Sequence, residues 1–397
     1  MGKRRIKLAY ICPWFSAEFR GPLYNLLEEL SKHIDVVCIC ARQKYVQYFK
    51  RNEKYSKKVE FINPHFKIHR FESIAPRDII IPFDLELILE KEKPDIIQSD
   101  EFFRFTTIQA AKWAKKNKIP LIINSRMRYR PGIVRNFVLW IFSLLAKDCV
   151  KYADKIIATQ GNESKKEFLR WFPSAKKKII LIPNSIDPKK FSKIKKEDGI
   201  KFKKKYKIPQ NVKVILDVAR IYPVKRIDLL IKTFALVKKN YDNVVLVIVG
   251  PSEKREMKKI SSLIKDLNLE IGKDIFFTGP INNENIGAAY AAADIFVNTS
   301  ETEGICYSFL EAMCFKLPIV AFDVGGNKGV LPKELLFRFG DIESMSKKVL
   351  EILKNKKKKQ FYSNLLYKKL LKEFNIKEVV KNLLNTYKNE TSKRKLE

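Results

Sequence analysis

A strand–turn–helix–strand pattern late in the chain constrains the fold more than any other feature of the sequence. The apolar run Ala293–Val297 predicts a buried strand, and a polar turn containing Gly304 follows it. A short helix is predicted from about Cys306 to Phe315, and the next strand over Leu317–Phe322, before a Gly-Gly turn. Strands and helices in this order form a parallel sheet, and such sheets bind ligands at the carboxyl ends of their strands. The pattern therefore predicts an α/β fold with a ligand site at these two turns.

Two glutamates and the predicted helix start give this unit a specific chemistry. Glu303 lies in the turn before the helix, and Glu311 lies eight positions later, within it. A helix start presents backbone N–H groups and the positive end of the helix dipole, which suits a phosphate. In the facing turn, Gly325 and Gly326 would let backbone amides approach a ligand closely. Because carboxylates repel a phosphate unless they face neutral hydroxyl groups, the combination predicts a nucleotide-sugar ligand.

The same residues resemble the donor-site signature of retaining nucleotide-sugar glycosyltransferases of the GT-B fold, family four (glycosyl transferases group 1). The match consists of the Glu-Gly pair, the second glutamate, and an Asp-x-Gly-Gly run. The resemblance implies that Glu303 meets the sugar hydroxyls and that Glu311 meets the nucleotide ribose. Its implied backbone and turn contacts to the donor come from Gly304, Ile305, Cys306, Gly325 and Gly326. The alternative is an ordinary strand–helix–strand unit with two surface glutamates.

Two cations follow another predicted strand. Arg220 and Lys225 lie in the loop between the strand Val212–Ala219 and the helix Asp228–Lys239. The family carries Arg and Lys at these positions, where both face the donor diphosphate. Two phosphates need cations, and a loop after a strand can supply them. Ordinary exposed charge is the alternative.

Three further positions are assigned by the resemblance, with two departures. At Gly279-Pro280 the family's backbone meets the nucleobase. Gly21 matches one glycine of a first-domain pair that faces the donor phosphate, although Pro22 replaces the second glycine. Gly329 stands where the family usually has an acidic residue.

Polar residues end two strands in the first half of the chain. Asp100 and Glu101 follow one strand, and we expect them to face the acceptor, with solvated loop acids or a helix N-cap as the alternative. The family often has histidine at Gln98 and near Asn124, so no histidine general base can be named.

An arginine cluster follows the second of these strands. Arg126, Arg128 and Arg130 alternate around an aromatic residue, which suits a phosphate or pyrophosphate. We therefore predict that they bind an acceptor carrying phosphate or held in an anionic membrane. An exposed basic loop without a ligand is the alternative.

The length of 397 residues fits two domains. The resemblance implies two Rossmann-like domains facing across a cleft: residues 1–187 for the acceptor, residues 188–374 for the donor, and residues 375–397 as a tail whose helix crosses back to the first domain. That helix could equally dock locally.

The net charge of +35 favours a polyanionic neighbour, although a lysine-biased proteome would also produce it. A nucleic-acid-binding protein is the main rival function, but no recognised binding motif supports it. An anionic membrane surface fits better, and we expect a cytoplasmic protein that is peripheral on the membrane. The apolar segment Ile133–Ala146 is too short to span a bilayer and could be a core or an interfacial helix; the family favours a core helix.

Six cysteines without a Cys-x-x-Cys motif argue against disulfides and structural zinc. His65 and His69 have a metal-like spacing, but the segment carries no helical signal. No metal or cofactor is expected, and the nucleotide-sugar is a substrate.

The reaction implied by the resemblance is retaining, metal-independent sugar transfer. Arg220, Lys225 and Glu303 would be its catalytic residues, and a glycan, lipid-linked or phosphorylated molecule its acceptor. A second rival keeps the fold and changes the reaction, as in a nucleotide-sugar epimerase or a phosphorylase.

Overall fold

A computed structural model describes residues 4–18, 21–44, 53–75, 79–127 and 133–396. The chain divides into two compact units, Met1–Ser185 with Ile376–Glu397, and Ile186–Asn375. The boundaries predicted from the sequence, after residues 187 and 374, lie close to these divisions.

The first unit is built on an eight-stranded sheet. The strands of the unit are β1 Lys7–Ile11, β2 Asp35–Ala41, β3 Val59–Asn63, β4 Phe66–Phe71, β5 Ser73–Ile74, β6 Ile81–Pro82, β7 Ile96–Asp100, β8 Leu121–Ser125, β9 Lys155–Ala158 and β10 Ile179–Leu181. The short strands β5 and β6 pair in a separate two-stranded sheet, and the other eight form the main sheet of the unit. Its helices are α1 Pro22–Ser31, α2 Leu85–Glu92, α3 Phe105–Lys116, α4 Ile133–Leu145, α5 Lys147–Tyr152 and α6 Asn162–Trp171. The sheet order is β10-β9-β8-β7-β1-β2-β4-β3, with only the β3–β4 pair antiparallel among these pairings. Because the strand order reverses between β1 and β7, their carboxyl ends flank the crevice where doubly wound sheets bind ligands.

The second unit has a six-stranded parallel sheet. Its strands are β11 Lys213–Val218, β12 Val244–Val249, β13 Ile275–Gly279, β14 Ile295–Asn298, β15 Ile319–Phe322 and β16 Leu336–Phe337. Its helices are α7 Lys196–Lys205, α8 Ile227–Asn240, α9 Lys254–Asp266, α10 Gly287–Ala291, α11 Tyr307–Cys314, α12 Asn327–Val330, α13 Ile342–Lys354 and α14 Lys356–Lys369. The order β13-β12-β11-β14-β15-β16 reverses between β11 and β14. The corresponding crevice therefore lies at the ends of these two strands.

The predicted strand–turn–helix–strand unit is confirmed as β14, α11 and β15. The run Val-Val-Leu-Val-Ile-Val of β12 is buried throughout, as expected for a parallel strand covered on both faces. The α/β prediction is therefore correct for both units.

The last helix, α15 Ile376–Leu396, belongs to the first unit. Its buried face, Val379, Val380 and Leu383, packs in the same core cluster as Leu27 and Leu30 of α1. These apolar residues recur at helical spacing and form the packing face of the helix.

Two features of the first unit differ from what the sequence indicates. Residues 42–93 carry no clear helix or strand pattern in the sequence, but they contain β3, β4 and α2. The strand β4 lacks a clear apolar pattern because it contains charged residues. One of them, Arg70, is buried and pairs with Glu60 of β3 at 2.7 Å. The helix α4 was favoured as a core helix, yet six of its large apolar side chains are exposed. Within the described ranges, no helix is both long and apolar enough to cross a membrane.

Candidate functional site

The loop after β11 and the turn after β14 are held together at the crevice of the second unit. The Thr299 hydroxyl donates a hydrogen bond to the carbonyl oxygen of Arg226 at 2.9 Å, and the Glu301 N–H donates to that of Val224 at 2.9 Å. These bonds fix the relative positions of the two segments in which the sequence placed the catalytic residues. The two segments that line the crevice are therefore joined by hydrogen bonds at the end of the sheet.

Lys225 and Glu303 form an ion pair in this crevice. The Lys225 Nζ atom lies 2.5 Å from Glu303 Oε1. Glu303 is buried, while one fifth of the Lys225 side chain is exposed. Burial lowers the pKa of Lys225, but the neighbouring Glu303 carboxylate raises it, and the net effect is a raised pKa. Lys225 is therefore held in its charged form beside the acid predicted to meet the sugar.

Arg220 begins the same loop but has different surroundings. Its side chain is exposed, and its guanidinium lies 5.8 Å from the centre of the Tyr222 ring. The structure thus brings Lys225 and Glu303 into contact and leaves Arg220 available to solvent at the mouth of the loop. An exposed guanidinium can form the bidentate contacts that phosphate favours.

Asp217, at the end of β11, is a site residue that the sequence reasoning missed. It is buried, and within the part of the chain that the structure describes its Oδ1 atom has no hydrogen-bond partner. Burial raises the pKa of Asp217 to about 7; the charge of Lys225 lowers it and that of Glu303 raises it. The available signal was an aspartate that directly follows the apolar run Val-Ile-Leu of the predicted strand, since buried acids are rare without a partner.

The Gly-Gly turn packs directly on the backbone of the facing turn. The Gly326 N–H donates to the Glu303 carbonyl oxygen at 3.0 Å. A Cβ atom on Gly325, where φ is +49°, would lie 2.0 Å from that oxygen, and one on Gly326 would lie 2.7 Å from the carbonyl carbon of Gly304. The close approach predicted for these glycines therefore occurs between two protein backbones, and it positions Glu303.

The helix α11 begins directly after this turn. Ile305 is buried and Cys306 occupies the N-cap position, with Phe309 N–H donating to the Cys306 carbonyl oxygen at 3.2 Å. The Cys306 Sγ atom lies 3.0 Å from Ser308 Oγ, and burial raises the pKa of the thiol to about 12. Cys306 is thus a neutral thiol and places no negative charge at the start of α11. The positive end of the helix dipole can therefore interact with a bound anion.

Glu311 lies within α11 and is bound to a tyrosine of α10. The Tyr290 hydroxyl donates to Glu311 Oε2 at 2.6 Å. Burial raises the pKa of Glu311 to about 7, although the Tyr290 hydrogen bond lowers it. One carboxylate oxygen is therefore committed to Tyr290, which fixes the orientation of the group predicted to bind ribose.

The remaining second-unit residues lie further along the sheet. Gly279 ends β13 with φ +71°, and its carbonyl oxygen accepts a hydrogen bond from the Gly250 N–H at 3.0 Å. Pro280 after it is exposed. Since β12 separates β13 from β11, these residues share the carboxyl edge of the sheet but not the strands of the crevice.

In the first unit, Asp100 is the centre of a buried polar cluster at the β1–β7 crevice. Its Oδ1 atom accepts hydrogen bonds from the Tyr10 hydroxyl at 2.8 Å and from the Asn124 amide at 3.0 Å. Its Oδ2 atom lies 3.3 Å from Arg126 Nη2. The carboxylate of Asp100 is therefore engaged by three side chains.

Glu101 is buried beside this cluster with φ +61°. Its Oε1 atom accepts a hydrogen bond from the Arg126 N–H at 2.7 Å, and Oε2 has no partner among the described residues. Burial raises the pKa of Glu101 to about 7. Both Asp100 and Glu101 are buried, so neither is the solvated loop acid that the sequence offered as an alternative.

Gln98 and Asn124, which replace two histidines of the resembled family, continue the network. The Gln98 Nε2 group donates to Asn124 Oδ1 at 2.8 Å, and the Tyr387 hydroxyl of α15 donates to Gln98 Oε1 at 2.5 Å. Both amides are buried. Hydrogen bonds within this cluster therefore fix the orientation of both amide groups.

The arginine cluster is only partly described. Arg126 is paired with Asp100, whose charge raises the pKa of the guanidinium, and 44% of the Arg126 side chain is exposed. Arg128 and Arg130 lie outside the described residues. Gly21 is the N-cap of α1 with ordinary extended backbone, and no atom lies within 4 Å of a Cβ added there.

The two spaced histidines each have an acidic partner. His65 Nδ1 lies 2.8 Å from Asp35 Oδ1, and His69 Nδ1 lies 2.9 Å from Glu92 Oε1. Among the residues described, no group of three or more His, Cys, Asp or Glu side chains is arranged to hold a metal ion.

Two family models match the chain. The model of Glycosyltransferase Family 4 matches residues 23–190, and that of Glycosyl transferases group 1 matches residues 198–369. An uncharacterized glycosyltransferase of Methanocaldococcus jannaschii is 24% identical and is covered over 97% of its length by 95% of this chain. The alpha-monoglucosyldiacylglycerol synthase of Streptococcus pneumoniae is 34% identical over 36% of this chain and 32% of that protein.

The first curated relatives match over 32% to 50% of their own length. Among solved structures, HepE of Anabaena in complex with UDP and glucose aligns with a TM-score of 0.75 at 15% identity, over 97% of this chain and 100% of HepE. At this identity the likeness shows a shared fold.

Proposed function

The chain belongs to the glycosyltransferases of family 4 with the GT-B fold, and from this premise we propose that it transfers a sugar from a nucleotide-sugar to an acceptor with retention of configuration. The observation that carries the proposal is the Lys225–Glu303 pair in the β11–β14 crevice. It joins a cation suited to a diphosphate with an acid suited to sugar hydroxyls, beside the start of α11.

The donor would lie along this crevice in the unit Ile186–Asn375. Arg220, Lys225 and the amides of Gly304, Ile305 and Cys306 would bind the diphosphate. Glu303 would accept hydrogen bonds from the sugar, and Glu311 from the ribose. The complexes of HepE with UDP and glucose make a uridine diphosphate sugar the first donor to test.

The bond between the anomeric carbon and the β-phosphate oxygen breaks in the proposed step. Negative charge then develops on the leaving diphosphate, and preorganised cations and amides stabilise it where it forms. The acceptor oxygen attacks the same face that the diphosphate leaves, and a diphosphate oxygen takes the acceptor proton. In this scheme the two cations and the helix start supply the electrostatic stabilisation that a metal ion gives in other transferases.

The proposed acceptor is a glycan carried on a lipid or bearing phosphate, bound by the first unit. The S. pneumoniae relative is by name a synthase of a glycolipid, alpha-monoglucosyldiacylglycerol, and this favours the lipid class. A chain with a net charge of +35 would collect at an anionic leaflet, where each nearby Lys or Arg contributes about 1 kcal/mol. We accordingly propose a peripheral association with the cytoplasmic face of a membrane.

Titration calorimetry of the full chain with UDP, UDP-glucose and UDP-N-acetylglucosamine tests the donor site. We expect saturable one-to-one binding of at least one of them, and NMR of the product formed with a lipid-linked acceptor should show the donor's anomeric configuration. Inverted product would refute retention. Conversion of the nucleotide-sugar without acceptor would favour an epimerase, and tight nucleic acid binding on filters without nucleotide binding would favour the nucleic-acid function.

A further inference from the structure

The helix α4 presents an apolar surface to solvent. Six large side chains on it are between 38% and 59% exposed: Phe137, Val138, Trp140, Ile141, Leu144 and Leu145. At about 100° per residue they fall within an arc of about 160° on one side of the helix. We call this surface the α4 apolar face. Contiguous exposed apolar patches are uncommon on monomeric proteins and mark interaction sites.

The opposite side of α4 is anchored to the first unit. Leu139 is buried, as is Ala146 just beyond the helix, and the Phe142 ring packs against Phe105 with centroids 5.6 Å apart. The helix is therefore packed against the first unit on one side, and only its outer side is exposed. A helix that is apolar on all sides is ordinarily buried, so its outer side calls for a covering partner.

The charges beside the α4 apolar face indicate the chemistry of that partner. The helix α5 follows directly and exposes Lys147 and Lys151, against one exposed acid, Asp148. A second copy of this chain would bring the same lysines together, in a protein with a net charge of +35. An anionic lipid leaflet complements both the lysines and the apolar side chains.

The dimensions of α4 also fit a membrane surface. A helix of 13 residues is about 20 Å long, which is too short to span a hydrocarbon core of about 30 Å. Trp140 and Phe137 stack at 6.0 Å on the exposed side, and tryptophan is enriched at the membrane–water boundary. Interfacial helices lie in this boundary with their apolar side among the acyl chains.

We propose that α4 is an interfacial anchor that lies in an anionic lipid leaflet, with the α4 apolar face inserted and Lys147 and Lys151 at the headgroups. The inference deepens the proposed function, because it puts the first unit where a lipid-linked acceptor would be. It can nevertheless fail separately, since vesicle binding requires neither donor nor acceptor.

The test is co-sedimentation of the full chain with phosphatidylcholine vesicles that contain or lack phosphatidylglycerol. The triple variant Phe137→Ser, Trp140→Ser, Leu144→Ser should lower partitioning to the anionic vesicles by at least about tenfold, because it removes the inserted surface. The matched control is Phe61→Ser, Phe83→Ser, Leu87→Ser, which removes apolar side chains of even greater exposure elsewhere in the same unit and should bind as the wild type does. Thermal unfolding should be similar in all three proteins, because every substituted side chain is exposed.

A second readout locates the helix in the lipid. Brominated acyl chains should quench part of the wild-type tryptophan fluorescence, and Trp140→Phe should bind vesicles normally while losing that quenching. Equal binding of the triple variant and the wild type, or no wild-type binding, would overturn the proposal. The proposal would also be overturned if the wild type were a dimer, the triple variant a monomer, and vesicle binding the same in both. This surface would then be an interface between copies of the chain. UDP binding measured on the same variants tests the donor site independently.

Discussion

The Lys225 ammonium group lies 2.5 Å from the Glu303 carboxylate, so a cation proposed for the donor diphosphate and an acid proposed for its sugar form one ion pair. Removal of either side chain leaves the other without this partner in a largely buried crevice. Their contributions to turnover should therefore depend on each other.

A double-mutant cycle measures this dependence. Lys225→Ala and Glu303→Gln should each lower kcat/KM by about two orders of magnitude, the usual loss on removing a charge-stabilising group. The double variant should be less impaired than the product of the two losses, because residues in contact are not additive. Strictly additive effects would contradict a shared role.

Arg220 offers a simpler test because its side chain is exposed. Arg220→Ala should leave the thermal unfolding temperature unchanged and lower kcat/KM by about two orders of magnitude through loss of a diphosphate contact. Arg255→Ala, an exposed arginine on α9, is the control and should keep wild-type turnover. Wild-type activity in Arg220→Ala would remove this residue from the site.

The two glutamates should separate binding from transfer. Glu311→Gln should weaken UDP binding in calorimetry, because the carboxylate is replaced at the group proposed to accept from ribose. Glu303→Gln should spare UDP binding and impair sugar transfer. Tyr290→Phe tests whether the 2.6 Å hydrogen bond orients Glu311, and it should weaken UDP binding in the same direction. Equal effects of the two glutamate variants on UDP binding would refute the division of roles.

The sequence predicted the second unit well because its signals are local. Apolar runs mark β11 and β14, and the motif residues Lys225 and Glu303 follow those strands directly, so the sheet topology brings them together. The packing of Gly325 on the Glu303 backbone could not be inferred, since a motif shows that glycine is needed but not which atom comes close.

Long-range pairing explains what was missed. Buried charge concealed β4, because Arg70 has its acidic partner on another strand. Nothing in the local sequence shows that Tyr387 reaches Gln98 from a helix 289 positions away. The exposure of α4 was also hidden, because an apolar run records what could be buried and not whether the fold covers it.

Asp217 predicts a pH-dependent stability. Its pKa is about 7 in the folded chain against an ordinary value of 3.8, so the folded state keeps the proton that the unfolded chain loses first. This stabilising contribution is complete below about pH 4 and is lost as the pH rises through about 7. Asp217→Asn stays neutral, and it should raise the free energy of unfolding at pH 8 by on the order of 1–3 kcal/mol relative to wild type, with no gain at pH 4.

Urea unfolding at the two pH values measures the effect of Asp217→Asn. The exposed residue Asp242 provides the control, and Asp242→Asn should shift stability little at either pH. A gain at pH 4 equal to that at pH 8 would show that the substitution acts through packing and not through ionisation.

Gly325 and Gly329 form a matched pair for the last prediction. They lie four residues apart, and a Cβ atom has no room at Gly325 but has room at Gly329. A Cβ atom at Gly325 would meet the Glu303 carbonyl oxygen at 2.0 Å with φ at +49°, whereas one at Gly329 has no atom within 4 Å. Gly325→Ala should lower the free energy of unfolding by on the order of 2–4 kcal/mol and impair sugar transfer, because the turn that positions Glu303 must move. Gly329→Ala, inside α12, should be neutral or slightly stabilising, as alanine favours a helix. If Gly325→Ala were as stable as Gly329→Ala and transferred sugar normally, the contact between the two turns would not be what holds Glu303 in place.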